Sequence, residues 1–82
     1  MREKVIKIFA EVAKVDEREV SESTSLRSSI FNNADNLGLD FFDEIKVILY
    51  LERAFDIKLP DNFLEDAGIV GDVIESLKEY IK

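Results

Sequence analysis

The sequence predicts an all-α fold, a four-helix bundle with a long loop between the first and second helices and a short third helix. Three observations carry this expectation. Apolar residues recur at helical spacing in separate stretches; Ser, Asn and Asp crowd the segment between the first two; and only three Gly and one Pro interrupt the chain. At 82 residues there is enough surface to bury one core, so 1–82 is read as a single domain.

The first helix is expected from Arg2 to Lys14, with Val5, Ile8, Phe9 and Val12 on one buried stripe. Glu3, Lys7, Glu11 and Lys14 form its solvated side, where Glu3 with Lys7 and Lys7 with Glu11 are spaced to pair across a turn. Residues 15–39 lose this periodicity and carry side chains that compete for backbone hydrogen bonds, so they read as a loop. A loop of this length either holds function or hides a short helix, and Leu26, Ile30 and Phe31 are the candidate anchors for one.

Asp40 reads as the N-cap of the second helix, with Asp43 and Glu44 in the first turn favoured by the helix dipole. Ile45, Val47, Ile48, Leu49, Leu51 and Phe55 cover a wide arc, which predicts burial on more than one side and a central position in the bundle. Pro60 halts the pattern and makes Lys58-Leu59 an extended linker. Asp61-Asn62 then caps a short third helix reaching about Ala67, closed by Gly68 through a positive backbone angle. Val70, Val73, Ile74, Leu77 and Ile81 set out a fourth helix running nearly to Lys82.

Composition excludes several functions. With neither Cys nor His, disulfides, thiolate nucleophiles and the usual zinc and acid/base residues are absent. No Ser-His-Asp set or Gly-rich phosphate loop is present, so an enzyme is not expected. The carboxylates of Asp35, Asp40, Asp43 and Glu44 lack the alternation of a calcium loop and read as caps and solvated charge, so no metal is expected. A net charge of −7 argues against nucleic acid; solubility alone accounts for it, and a basic protein partner is compatible with it. No apolar run is long enough for a signal segment or membrane span, so a cytoplasmic protein is expected.

The segment Val15-Asp16-Glu17-Arg18-Glu19-Val20 with Thr24-Ser25-Leu26, and the run Leu37-Gly38-Leu39-Asp40 continuing through Asp43, Ile45, Val47, Leu51, Glu52, Phe55, Asp56, Ile57, Leu59, Pro60 and Asp61, resembles the acyl carrier proteins. The resemblance implies a four-helix bundle in which a serine directly after the Asp bears 4′-phosphopantetheine, whose thiol carries acyl intermediates. Here that position is Phe41. A phenyl ring has no hydroxyl to form a phosphodiester, so the cofactor expected of the family is predicted absent. Ser28 and Ser29 are near in sequence, yet neither follows the Asp at a helix start.

Two further departures concern partners. The family presents an acidic second helix to basic patches on its enzymes, and here Lys46 and Arg53 stand at two of the acidic positions while Asp40, Asp43, Glu44 and Glu52 remain. The docking face is thus mixed in sign, which alters partner choice more than affinity. The connection from Leu26 to Leu37 is also longer than the family's. The extra Ser28–Asp35 stretch is an insertion tolerated by a surface loop, or it contacts a partner or covers the entrance to the bundle.

Three placements are open to Phe41: packed on the core beside Phe42, turned inward to fill the space where the family shelters acyl chains, or exposed as an anchor for a partner's pocket. The expected function is a carrier-protein-like module that docks through its second helix, using Asp40, Phe41, Asp43, Glu44, Lys46, Val47, Tyr50, Glu52 and Arg53. Its partner would be a synthase, an acyltransferase or another carrier-binding enzyme. The alternative is a working acyl carrier in fatty-acid, polyketide or related biosynthesis.

Overall fold

The computed structural model describes residues 1–27 and 36–81. Within them the chain forms α1 (Arg2–Ala13), a 3₁₀ turn at Glu17–Glu19, α2 (Phe41–Phe55) and α3 (Val70–Leu77), with no strand longer than an isolated bridge. The all-helical expectation holds; α1 matches its expected extent to within a residue, and α2 starts directly after the expected cap Asp40.

Helix α1 buries Val5, Ile6, Ile8, Phe9 and Ala10. It ends at Lys14, which takes the left-handed conformation (φ 60°), while the N–H of Val15 donates to the Ala10 carbonyl at 3.0 Å. This closes the open carbonyls of the last turn without a glycine. The expected Glu3, Lys7 and Glu11 pairs are not among the ion pairs formed; Arg2 instead reaches Glu22 at 2.8 Å.

The described parts of the connection between α1 and α2 are more ordered than their composition suggests. Asp16 caps the 3₁₀ turn reciprocally with Glu19. Residues 24–26 then lie extended between two other segments: the N–H groups of Leu37 and Leu39 donate to the carbonyls of Ser25 and Leu26, and on the other side Leu26 N–H donates to Gly68 and Val70 N–H to Thr24. These pairings satisfy the backbone of a buried stretch that would otherwise be left without partners, and Thr24 and Leu26 are both buried. The candidate anchors Ile30 and Phe31, the serines 28 and 29 and the rest of the Ser28–Asp35 insertion lie outside the described residues.

Three expectations are corrected. Residues 61–66 form successive turns instead of a third α-helix, with N–H donors of Phe63, Glu65 and Ala67 meeting carbonyls three residues back. The guanidinium of Arg27 takes the carbonyls of Leu64 and Ala67 and ties the end of this turn segment to the rest of the fold. Gly68 does not adopt a positive φ; that conformation falls to Gly38 (φ 61°), just before α2. The last helix ends at Leu77, and turns follow over 78–80. Asp72 stabilises its start by accepting from the N–H groups of Gly68 and Ile69.

The central element is α1, on which α2, the 3₁₀ turn and α3 all pack. Helix α2 was expected to be buried on more than one side, yet it buries only Val47, Ile48 and Leu51. The core is completed by Val20, Leu26, Leu39, Leu59, Leu64, Ala67, Val70, Val73, Ile74 and Leu77. So many irregular segments contribute to it that α2 needs to give only one stripe. The ring of Phe63 meets that of Tyr80 edge-on at 5.6 Å, holding the turns of 61–66 against the C-terminal end.

Candidate functional site

The head of α2 is fixed by two aspartates. Asp40 Oδ1 accepts the N–H of Asp43 at 2.8 Å, and Asp43 Oδ2 accepts the N–H of Asp40 at 3.3 Å, a reciprocal box that satisfies two free donors and sets negative charge at the positive end of the helix. Phe41 is the first residue of the helix. With Leu51 facing the core, 3.6 residues per turn rotate Phe41 roughly 80° to the flank and Phe42 to the far side. Both rings are in solvent, 70% and 71% exposed, and touch edge to face at 5.9 Å. Of the three placements open to Phe41, the structure has the exposed one; core packing and filling of the bundle interior are both corrected.

Ile45 and Leu49 continue this exposed apolar face. Beside it runs a groove of about 540 Å³ between α2 and the turns of 61–65, bounded by Phe41, Ile45 and Ile48 on one wall and by Asp61, Leu64 and Glu65 on the other. A smaller extension of about 290 Å³ follows Leu49, Glu52 and Leu59 along the helix. Arg27 sits at the groove's base. Its Nη2 bonds Glu44 and the Leu64 carbonyl (2.6 Å), and Nη1 bonds the Ala67 carbonyl at 2.7 Å. One planar guanidinium thereby joins α2 to the opposite wall, a use suited to its fixed fork of donors.

The site residues expected from sequence divide into three groups. Asp40, Phe41, Lys46 and Arg53 are exposed, and Asp43 and Tyr50 are partly so. Glu44 and Glu52 are on the expected helix but are used by the fold, Glu44 on Arg27 and Glu52 accepting the Leu59 N–H at 2.8 Å. Val47 is wholly buried and cannot touch a partner, a correction that follows from its sharing the core stripe with Leu51. Arg27, Asp61 and Glu65 line the groove although they are not among the residues expected from sequence, and Ile45 and Leu49, expected in the core, are exposed. The surplus of apolar positions on α2, more than one stripe can bury, was the available signal.

The aspartate-capped helix, its groove and the helical packing around α1 make up a small all-helical domain. No protein-family model matches the chain. A curated protein named Acyl carrier protein, from Clostridium acetobutylicum, is 35% identical over 78 residues, which is 95% of this chain and 92% of that one. The chain belongs to the acyl carrier protein family.

The family's prosthetic group requires a hydroxyl at its attachment point, and the side chain following Asp40 is a hydrocarbon ring. The side chain at position 41 therefore offers no oxygen for a phosphodiester. Among the described residues no group of His, Cys, Asp or Glu is arranged to hold a metal ion, and no helix is long and apolar enough to cross a membrane.

Proposed function

We propose that this protein is a docking module of the acyl carrier protein family that carries no prosthetic arm and engages a partner protein through α2. The supporting observation is the exposed ring of Phe41, directly after the capping Asp40, at the place where the resemblance puts the attachment serine. It is a non-enzymatic, cytoplasmic, interaction-only role. The partner is a synthase, acyltransferase or other carrier-binding enzyme, met by Asp40, Phe41, Asp43, Lys46, Tyr50, Glu52 and Arg53. Phe41 acts as the apolar anchor, since exposed aromatics at a contact centre contribute far more than rim charges.

The alternative, a loaded carrier in acyl-chain biosynthesis, draws on the name of the Clostridium acetobutylicum relative. Incubation with a phosphopantetheinyl transferase and coenzyme A followed by intact-mass spectrometry separates the two. An unchanged mass is expected; a gain equal to one phosphopantetheinyl group would establish the loaded carrier and end the docking-only reading. Phe41→Ser, run alongside, is expected to gain that mass, because the capped helix start is otherwise retained.

A further inference from the structure

The exposed apolar stripe of α2, made by Phe41, Phe42, Ile45 and Leu49, has edges of opposite sign. Along one edge lie Glu52 and, across the groove, the exposed carboxylates of Asp61 and Glu65. Along the other lie Lys46 and Arg53, seven residues apart and therefore nearly aligned on the helix. Both cations are exposed, and neither forms an ion pair with a described residue. The groove edge and the Lys46/Arg53 edge run along the same length of helix, since Asp61 shares the groove with Ile45, Ile48 and Leu49.

An apolar stripe bordered in this way is self-complementary in one orientation. When two copies meet face to face about a two-fold axis parallel to their helices, the anionic edge of each lies opposite the cationic edge of the other, on both sides. An antiparallel two-fold instead sets like edges together. We infer that α2 pairs in parallel with α2 of a second copy, with Phe41, Phe42, Ile45 and Leu49 at the centre and Lys46 and Arg53 of each copy facing Asp61, Glu65 and Glu52 of the other. The contact is isologous, so it closes at two copies, and the charged borders set its direction as flanking charges do in paired helices. It goes beyond the docking reading, which it neither needs nor supports. The same stripe would serve both, so self-pairing and partner docking compete for it.

Sedimentation equilibrium of the intact chain at physiological ionic strength, from about 1 μM to about 1 mM, where small interfaces dissociate, tests this. The mass is expected to rise from 9.4 kDa to twice that value. Leu49→Glu is expected to remain monomeric throughout. Lys46→Glu with Arg53→Glu is expected to weaken association at least tenfold. Asp61→Lys with Glu65→Lys is expected to weaken it as well, although that change lowers the net negative charge and a generic charge effect would strengthen pairing. All four substitutions together restore opposite edges and are expected to recover association. A chain monomeric at every concentration overturns the inference and leaves the stripe to a different protein, and a lack of recovery in the fourfold variant overturns the parallel orientation. Neither result bears on the mass-spectrometric test of the missing arm.

Discussion

The guanidinium of Arg27 closes on the carboxylate of Glu44 and in the same plane holds the carbonyls of Leu64 and Ala67. This contact crosses the base of the groove and fixes the spacing of its walls. Arg27→Met should destabilise the fold by about 1–3 kcal/mol, because a largely buried carboxylate and two backbone carbonyls lose their donor. Arg27→Lys should recover only part of this, having no fork. Glu44→Gln should cost less than Arg27→Met, since both carbonyl bonds remain. Urea denaturation of the three variants measures the order, and a loss under about 0.5 kcal/mol for Arg27→Met would show the contact to be dispensable.

Phe41 and Leu51 lie on one helix with opposite fates, the first in solvent and the second wholly buried. Phe41→Ala should change stability by no more than about 0.5 kcal/mol, as surface substitutions do. Leu51→Ala should cost about 2–5 kcal/mol from lost burial and the cavity left behind. Thermal unfolding of both against the parent chain is the measurement; a large loss for Phe41→Ala would mean that the ring packs inward.

The two glycines flanking the groove segments differ in what they require. Gly38 has φ 61°, where a Cβ is strained, so Gly38→Ala should destabilise by about 1 kcal/mol. At Gly68 a Cβ would meet only Asp72 Oδ2, at an ordinary 3.6 Å, so Gly68→Ala should be tolerated. Denaturation midpoints compare them directly; equal effects would contradict the assigned backbone conformations.

Asp16 accepts hydrogen bonds from the Arg18 side chain and from the Arg18 backbone N–H, and these hold its carboxyl below the usual carboxylate range. The native value is depressed, so the associated stabilisation is present above the unfolded-state pKa and is lost as pH falls through the native one. Because both side chains are largely in solvent, the effect on stability is small. Carboxyl carbon chemical shifts followed through an acid titration should give Asp16 a low midpoint that Arg18→Ala raises; an unmoved midpoint would remove Arg18 as the cause.

Much of the chain was legible before its structure. Val5, Phe9, Leu51, Val73 and Leu77 lie buried where helical spacing put them, because that spacing is a local property of the backbone. Asp40 caps α2 for an equally local reason: a short acceptor just ahead of free N–H groups. The third helix was misjudged because 61–66 carries helix-compatible residues, yet its N–H groups settle into turns that bond carbonyls three residues back. Val47 was misplaced as a contact because the direction of the core around α2 depends on what else fills that core.

By itself the sequence determined the all-helical class, the extent of α1, the start of α2, and the absence of an oxygen at position 41. Each is a matter of residue type and near-neighbour spacing. Only the tertiary structure decided that Phe41, Phe42, Ile45 and Leu49 stay in solvent, that Arg27 braces a groove beside them, and that acidic and basic edges border the stripe. Those outcomes depend on competition for a limited interior. The irregular segments around Leu26, Leu39, Leu59 and Leu64 filled it, and one face of α2 was left outside.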